Sequence, residues 1–313
     1  MFWYNTFMRI GIIGTGAVGG YFGAKLQLAG NTVIFLSRGE TLKTLKSNGL
    51  TFETKEKTSN IKDAIFTDDP TELRTCKCIL FTVKSYDTKS AINQIKDYIN
   101  DETLVISFQN GIDNDIKLLE ALGNHRVIPG LVRGGYSSPK AGYIKNLGFA
   151  TLVVGEYDGT KSARLKEFVD IFIKAGIEII LSNNIQTERW KKYTWNCTFN
   201  IISSITRLRV DQMLNNSKVR DLCIRTMKEI ILVANKEGVI LSEDDTIRES
   251  IALAEKLGTF KTSTLQDIEN GKQIELEAFT GYILKLAHKH NLKVPINEIL
   301  YDLLFRIKDS NII

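Results

Sequence analysis

Two hydrophobic rhythms divide the chain. In the N-terminal part, short apolar runs alternate with helix-length stretches. RIGIIG (9–14) is followed by a helix from about Ala17 to Ala29 and then by NTVIFLSR (31–38). CKCILFTVKS (76–85), a helical stretch from Asp87, TLVISFQNG (103–111) and RVIPGLVRGG (126–135) continue the alternation. Near-continuous apolar runs suit strands buried on both faces, and their alternation with helices suits a parallel sheet with crossover connections. LTFETK and AIFTDD read as a polar-flanked pair of strands. Residues 141–157, AGYIKNLGFATLVVGEY, read as a β-hairpin whose turn holds Asn146 and Gly148. A helix over 160–175 and a strand, IEIILSN (177–183), close this region. From about Gln186 the strand-like runs stop. Helical periodicity then predicts helices near 187–206, 216–238, 243–257, 273–290 and 295–307, punctuated by Gly238, Gly258 and Pro295. The predicted organisation is α/β: an open-sheet domain over 1–184 followed by an all-helical domain over 185–313.

Composition agrees with two ordinary domains: 313 residues, 43% hydrophobic, 25% charged and only 4 Pro. The 41 basic and 36 acidic residues leave a net +5 that is spread along the chain. That spread reads as a solvated surface with a mild bias toward anionic small molecules, and no nucleic-acid partner is expected. No apolar run reaches about 18 residues, so no transmembrane helix and no membrane partner are expected. The start, MFWYNTFMRIGIIG, is too short to be a signal peptide before the first strand. Met8 is read as a natural start, with the first seven residues an upstream extension, and the expected location is cytoplasmic. Cys76 and Cys78 should point to one face of a strand, while Cys197 and Cys223 fall in helical segments. None of the 4 Cys has zinc or CxxC spacing, so reduced core thiols are expected. His288 and His290 are two apart on a helix and face different ways, and no metal site is expected.

Candidate chemistry begins at GTGAVGG, where Gly14, Gly16 and Gly19 have GxGxxG spacing and Thr15, Ala17 and Val18 fill the loop. The loop follows a predicted strand and opens a predicted helix, the context in which this motif binds a dinucleotide. Gly14 permits the tight turn, Gly16 lets a pyrophosphate approach the backbone, and Gly19 allows close helix–strand packing. The helix N-terminus then offers free N–H groups and a favourable dipole. The second strand ends FLSRGE, presenting Ser37 and Arg38 with no carboxylate before Glu40. An acid there would bind the ribose 2′-hydroxyl of NAD, whereas Arg38 can pair with a 2′-phosphate. NADP(H) is therefore expected over NAD(H).

RWKKYTWNCTFNIISS (189–204) reads as a mostly apolar helix, yet Lys192, Asn196 and Asn200 recur every four residues along it. Each step of four turns about 400°, so the three stay within about 80° of arc. Asn is a poor helix former, and a buried amide needs a partner. A plain structural alternative is that the two amides bridge neighbouring helices while Lys192 reaches solvent. Asn110 ends SFQNG and Lys84 ends FTVKS, both at the C-terminal ends of predicted strands, outside which open α/β sheets bind ligands. Further on, KTSTLQDIENGKQIELEAFTG supplies Ser263 and Glu275, twelve apart.

Taken together, GTGAVGG, VKS, QNG, KKYTWNCTFN and STLQDIENGKQIE resemble the ketopantoate reductase (2-dehydropantoate 2-reductase) family, over essentially the whole chain from Met8. The resemblance implies an N-terminal Rossmann domain and a helical substrate domain with the active site between them. It implies Lys192 as general acid, Asn196, Asn200 and Asn110 as substrate ligands, and Ser263 as a carboxylate ligand. Glu275 would accept from the substrate hydroxyl and, with Lys84 and Asn110, line the cofactor cleft; Arg38 would meet the 2′-phosphate. The implied reaction is NADPH-dependent reduction of ketopantoate to (R)-pantoate in pantothenate and coenzyme A biosynthesis. A Lys ammonium suits it, because reducing a ketone needs a proton for the developing alkoxide. Two alternatives remain open: a related dehydrogenase acting on another 2-keto or 3-hydroxy acid, and a non-catalytic NADP(H)-binding sensor. A monomer or homodimer is expected. LVRGGYSSPKAGYIKNLG fits the family loosely and does not fix the substrate.

Overall fold

The apolar runs of the N-terminal part form strands because both of their faces are covered. The computed structural model describes residues 7–309, and for Leu147, Phe149, Lys308 and Asp309 the backbone alone. Most of the expected upstream extension, residues 1–6, lies outside the described residues. The strands are β1 (Arg9–Ile13), β2 (Thr32–Leu36), β3 (Leu50–Glu53), β4 (Thr58–Ile61) and β5 (Ile65–Thr67). They continue with β6 (Cys78–Phe81), β7 (Leu104–Ser107), β8 (Val127–Lys140), β9 (Tyr143–Val154) and β10 (Glu178–Leu181). Helices α1 (Ala17–Leu28), α2 (Gly39–Asn48), α3 (Thr88–Ile95), α4 (Asn114–Leu122) and α5 (Ala163–Lys174) lie between them.

Six strands run parallel in the order β5-β2-β1-β6-β7-β8, the order of a doubly wound dinucleotide-binding sheet. Alternate strand residues feed two cores. Ile12, Phe35, Leu80, Ile106 and Ile128 pack with Phe22 of α1 and Phe168 and Phe172 of α5. Ile13, Ile34, Phe81, Val105 and Val127 pack with Ile92 and Ile95 of α3 and Leu118 of α4. Past β8 the sheet turns antiparallel with β9, which also carries β3 and β10.

Three expectations change here. The hairpin turn is Ala141–Gly142, between β8 and β9, not Asn146 and Gly148. Gly142, at φ +67, supplies the left-handed residue that a two-residue turn favours. Asn146 lies within β9 opposite Tyr136, and its side chain accepts from the Gly148 N–H at 2.7 Å where the register shifts. The runs LTFETK and AIFTDD do not pair with each other. A tight turn at Thr54–Lys57 folds β3 onto β4, and β5 joins β2 instead. Cys76 and Cys78 do not share a face. Cys76 precedes the strand and packs with Ile79 and Phe81, while Cys78 packs with Leu80 on the other side.

The chain separates into two compact units, residues 1–110 with 114–185 and residues 111–113 with 186–313. The second unit is helical: α6 (Ile185–Trp195), α7 (Ile201–Thr206), α8 (Val210–Asn215) and α9 (Ser217–Lys236) come first. They are followed by α10 (Glu243–Leu257), α11 (Ser263–Glu269), α12 (Tyr282–Lys289) and α13 (Pro295–Asp309). Its core gathers Tyr193, Phe199, Ile202, Met227, Ile230, Phe279 and Leu304. The short helices α8 and α11 were not expected, since neither is long enough to repeat a buried stripe. Two wide π-type turns interrupt the α-helical ladder, Asn196–Asn200 between α6 and α7 and Glu277–Gly281 before α12, and they pack against each other.

Candidate active site

In the first unit, the glycine loop is shaped by what its missing side chains would strike. Gly14 has φ +97, and a Cβ there would lie 2.8 Å from the Val83 nitrogen. A Cβ on Gly19 would lie 2.2 Å from the Gly14 carbonyl oxygen and 2.3 Å from Thr82 Oγ1, so only glycine lets α1 lie this close to β1 and β6. A Cβ on Gly16 would meet no protein atom within 4 Å. The backbone at Gly16 is thus open from outside, where an approaching phosphate needs it open. Helix α1 begins at Ala17 with no side-chain cap and no acid in its first turn. Its first N–H groups are therefore left for a ligand or water. Val18 is partly buried against the core and holds the turn down. These features fit a dinucleotide pyrophosphate.

Neighbouring strand ends are tied to this loop. Thr15 Oγ1 and Ser37 Oγ are 2.5 Å apart, joining the loop to the end of β2. Thr82 Oγ1 donates to the carbonyls of Ile13 (3.0 Å) and Gly14 (2.7 Å), joining it to the end of β6. Arg38 occupies the position before α2 without a side-chain cap bond; its side chain is 73% exposed, and its Nη2 donates to Asp87 Oδ1 at 2.8 Å. Lys84 begins the tight turn Ser85–Asp87 after β6. Gln109 Nε2 donates to the Val83 carbonyl (2.9 Å) and Thr88 Oγ1 (2.8 Å), stitching the end of β7 to that of β6. The Asn110 carbonyl accepts from Asn114 Nδ2 at 2.7 Å, which fixes the backbone beneath the Asn110 side chain.

In the second unit, Lys192 sits in the last turn of α6, and Asn196 and Asn200 open and close the first wide turn. The Lys192–Asn196 spacing is α-helical, but the Asn196–Asn200 interval spans the wider turn, so the line is not a simple α-helical stripe. Both Asn are buried. Asn200 Nδ2 donates to Ser263 Oγ at 3.3 Å, while Asn200 Oδ1 is buried with no protein partner. An unmet buried acceptor costs about 1–3 kcal/mol, so this atom is suited to a ligand donor. The Asn200 carbonyl accepts from Ser203 Oγ (3.1 Å) and Ser204 Oγ (2.6 Å). Ser203 Oγ lies 2.6 Å from Thr262 Oγ1, and Thr262 caps α11, whose first residue is Ser263.

Glu275 is buried just ahead of the second wide turn, where its carbonyl accepts from the Phe279 N–H at 3.2 Å. Tyr193 Oη donates to the Phe279 carbonyl at 2.5 Å, tying α6 to that turn, and burial pushes this phenol well above its usual range. Cys197 lies inside the polar turn, but burial pushes its thiol well up, which removes it as a nucleophile. Of the singled-out residues, the structure joins Thr15 to Ser37 in the first unit and Asn200 to Ser263 in the second. Sequence reading missed Asp87, Thr82, Gln109, Ser203 and Thr262. Gln109 was in view in QNG, whereas Asp87 gives a signal only once β6 is known to lie beside β1. Among the described residues, no group of three or more His, Cys, Asp or Glu could hold a metal, and no helix is long and apolar enough to cross a membrane.

A doubly wound parallel sheet with this glycine loop, followed by a helical unit lined with Lys, Asn and Glu, defines a Rossmann-type dinucleotide-dependent oxidoreductase. The chain belongs to the ketopantoate reductase PanE/ApbA family: the family model matches residues 10–159, and the model of its C-terminal part matches 184–308. The 2-dehydropantoate 2-reductase of Pyrococcus horikoshii is 30% identical, over 97% of this chain and 98% of its own length. The crystal structure of a PanE/ApbA family ketopantoate reductase from Ralstonia eutropha JMP134 is 30% identical with a TM-score of 0.90, covering 97% of this chain and 99% of that one. A D-mandelate dehydrogenase solved with NADH and anilino(oxo)acetate has a TM-score of 0.91 at 22% identity, covering 98% of this chain and all (100%) of that one, and shares the fold.

Proposed function

We propose that this chain is a 2-dehydropantoate 2-reductase, reducing ketopantoate to (R)-pantoate with NADPH on the route to pantothenate and coenzyme A. The observation that carries this reading is the buried Asn200, bonded to Ser263 and left with an unmet acceptor, on the same helical run as Lys192 and Asn196.

Gly14, Thr15, Gly16, Ala17, Val18 and Gly19 would hold the pyrophosphate, Ser37 and Arg38 the adenosine 2′-phosphate, and Lys84 and Asn110 the rest of the nucleotide. Bound NADPH supplies the hydride, from C4 of its nicotinamide. Lys192 would stabilise the developing alkoxide and give it a proton. Asn196, Asn200 and Ser263 would hold the substrate carboxylate without adding charge, Asn110 would assist, and Glu275 would accept from the substrate hydroxyl. A keto acid lacking that hydroxyl would forgo this contact with Glu275, which is a basis for discrimination. The four cysteines are free and buried, in keeping with a reducing, cytoplasmic setting. The partner is a small-molecule keto acid, acted on by a monomer or homodimer.

The test follows NADPH oxidation by absorbance with purified protein and ketopantoate, beside pyruvate, 2-ketoisovalerate, oxaloacetate and NADH. Turnover concentrated on ketopantoate is the expected result. Efficient turnover of a different keto acid would replace the substrate, and nucleotide binding without turnover of any would point to a sensor.

A further inference from the structure

We infer that Asp87 sets how far the enzyme discriminates between NADPH and NADH, an inference that rests on the dinucleotide reading above. The end of β2 carries no acid, yet the fold delivers one to it from 49 residues away: Arg38 Nη2 and Asp87 Oδ1 meet at 2.8 Å. β1 lies between β2 and β6 in the sheet, so this ion pair joins the two strand ends that flank the glycine loop. Both ends are also fixed to the loop, through the Thr15–Ser37 and Thr82–Gly14 contacts. Asp87 itself is held on a closed turn: its N–H donates to the Lys84 carbonyl at 2.9 Å, and its carbonyl accepts from Ser90 Oγ at 2.9 Å. The Asp87 backbone is therefore held at this corner, with its carboxylate beside Arg38.

Its chemistry opposes that of Arg38. A 2′-phosphate must share the guanidinium with Asp87 and bear the repulsion of its charge. A 2′-hydroxyl, in contrast, can donate to the carboxylate, as it does to the acid that ends the second strand in NAD-binding sheets. Asp87 thus supplies from β6 the acceptor that β2 lacks, and NADPH keeps only a modest advantage. Exposed charge pairs are each worth about 0.2–1 kcal/mol, a factor of about 1.4 to 5. Freeing Arg38 and removing the repulsion together should tighten NADPH about three- to tenfold.

The experiment is a fluorescence or calorimetric titration of wild type, D87N, D87A and R38A with NADPH and with NADH, with melting temperatures recorded to confirm folding. D87N should tighten NADPH about three- to tenfold while NADH is unchanged or weakened. R38A should weaken NADPH and leave NADH within about twofold. If both Asp87 variants move the two nucleotides equally, or move neither, Asp87 is a surface ion pair and the inference fails while dinucleotide binding stands. If wild type binds neither nucleotide, the functional reading falls and this inference with it.

Discussion

At the scale of single residues, Lys192 carries the most direct expectation. Its replacement by Ala should lower kcat about a hundredfold or more, because general acid catalysis contributes about 10²–10⁴. NADPH affinity, measured by titration, should stay within about twofold. Turnover within a fewfold of wild type would remove Lys192 from its assigned role. Gly19 makes a different kind of demand. A methyl group there would overlap the Gly14 carbonyl oxygen and Thr82 Oγ1, so Gly19→Ala should cost about 1–3 kcal/mol of stability and weaken both NADPH and NADH. A variant that melts and binds like wild type would show that α1 can lift without harm. These residues were legible in the sequence because their signals are local: a glycine spacing, a four-residue recurrence. Asp87 and Thr262 were not, because each matters through a partner 49 or 59 residues away.

At the scale of elements, the wide turn at Asn196–Asn200 interrupts the four-residue recurrence of Lys192, Asn196 and Asn200. The hydroxyls of Ser203 and Ser204, one turn further on, both donate back to the Asn200 carbonyl. Thr262 completes the arrangement by capping α11 and bonding Ser203. Thr262→Val keeps the shape and removes the hydroxyl. Stability should fall by about 1–2 kcal/mol, the worth of a cap and a buried partner. KM for the keto acid should rise while the NADPH dissociation constant holds, since Ser263 would lose its fixed position. Equal losses for both ligands would mean the hydroxyl serves folding alone. Strands with two apolar faces and long helices with a buried stripe were readable from periodicity. The β8–β9 turn was not, because Asn146 and Gly148 carry turn chemistry yet lie inside β9, where it serves a register shift. The wide turns were also hidden, since an interrupted ladder leaves no period to read.

At the scale of the whole molecule, stability should depend on acid through each unit separately. Glu156 in the first unit is buried and Glu237 in the second half-buried, which by itself would raise their carboxyls. The net direction is nevertheless down: Arg164 and Ser162 hold the Glu156 carboxylate, and Lys289 and His290 hold that of Glu237. A carboxyl lowered by folding stabilises the native state above its unfolded value, 4.5 for glutamate, and that contribution is lost as pH falls through the folded value. The melting temperature should therefore be flat between about pH 6 and 7 and fall steeply below about 4.5. Glu156→Gln removes the titration and exchanges charged hydrogen bonds for neutral ones. It should lower stability by about 1–3 kcal/mol at pH 7 and flatten the acid slope, with Glu237→Gln acting likewise on the other unit. The measurement is melting temperature against pH for wild type and both variants. An acid slope unchanged in both would assign the acid sensitivity to other carboxylates. An effect of Glu156→Gln that appears fully in a single transition covering both units would show that the two unfold together, although each has its own core.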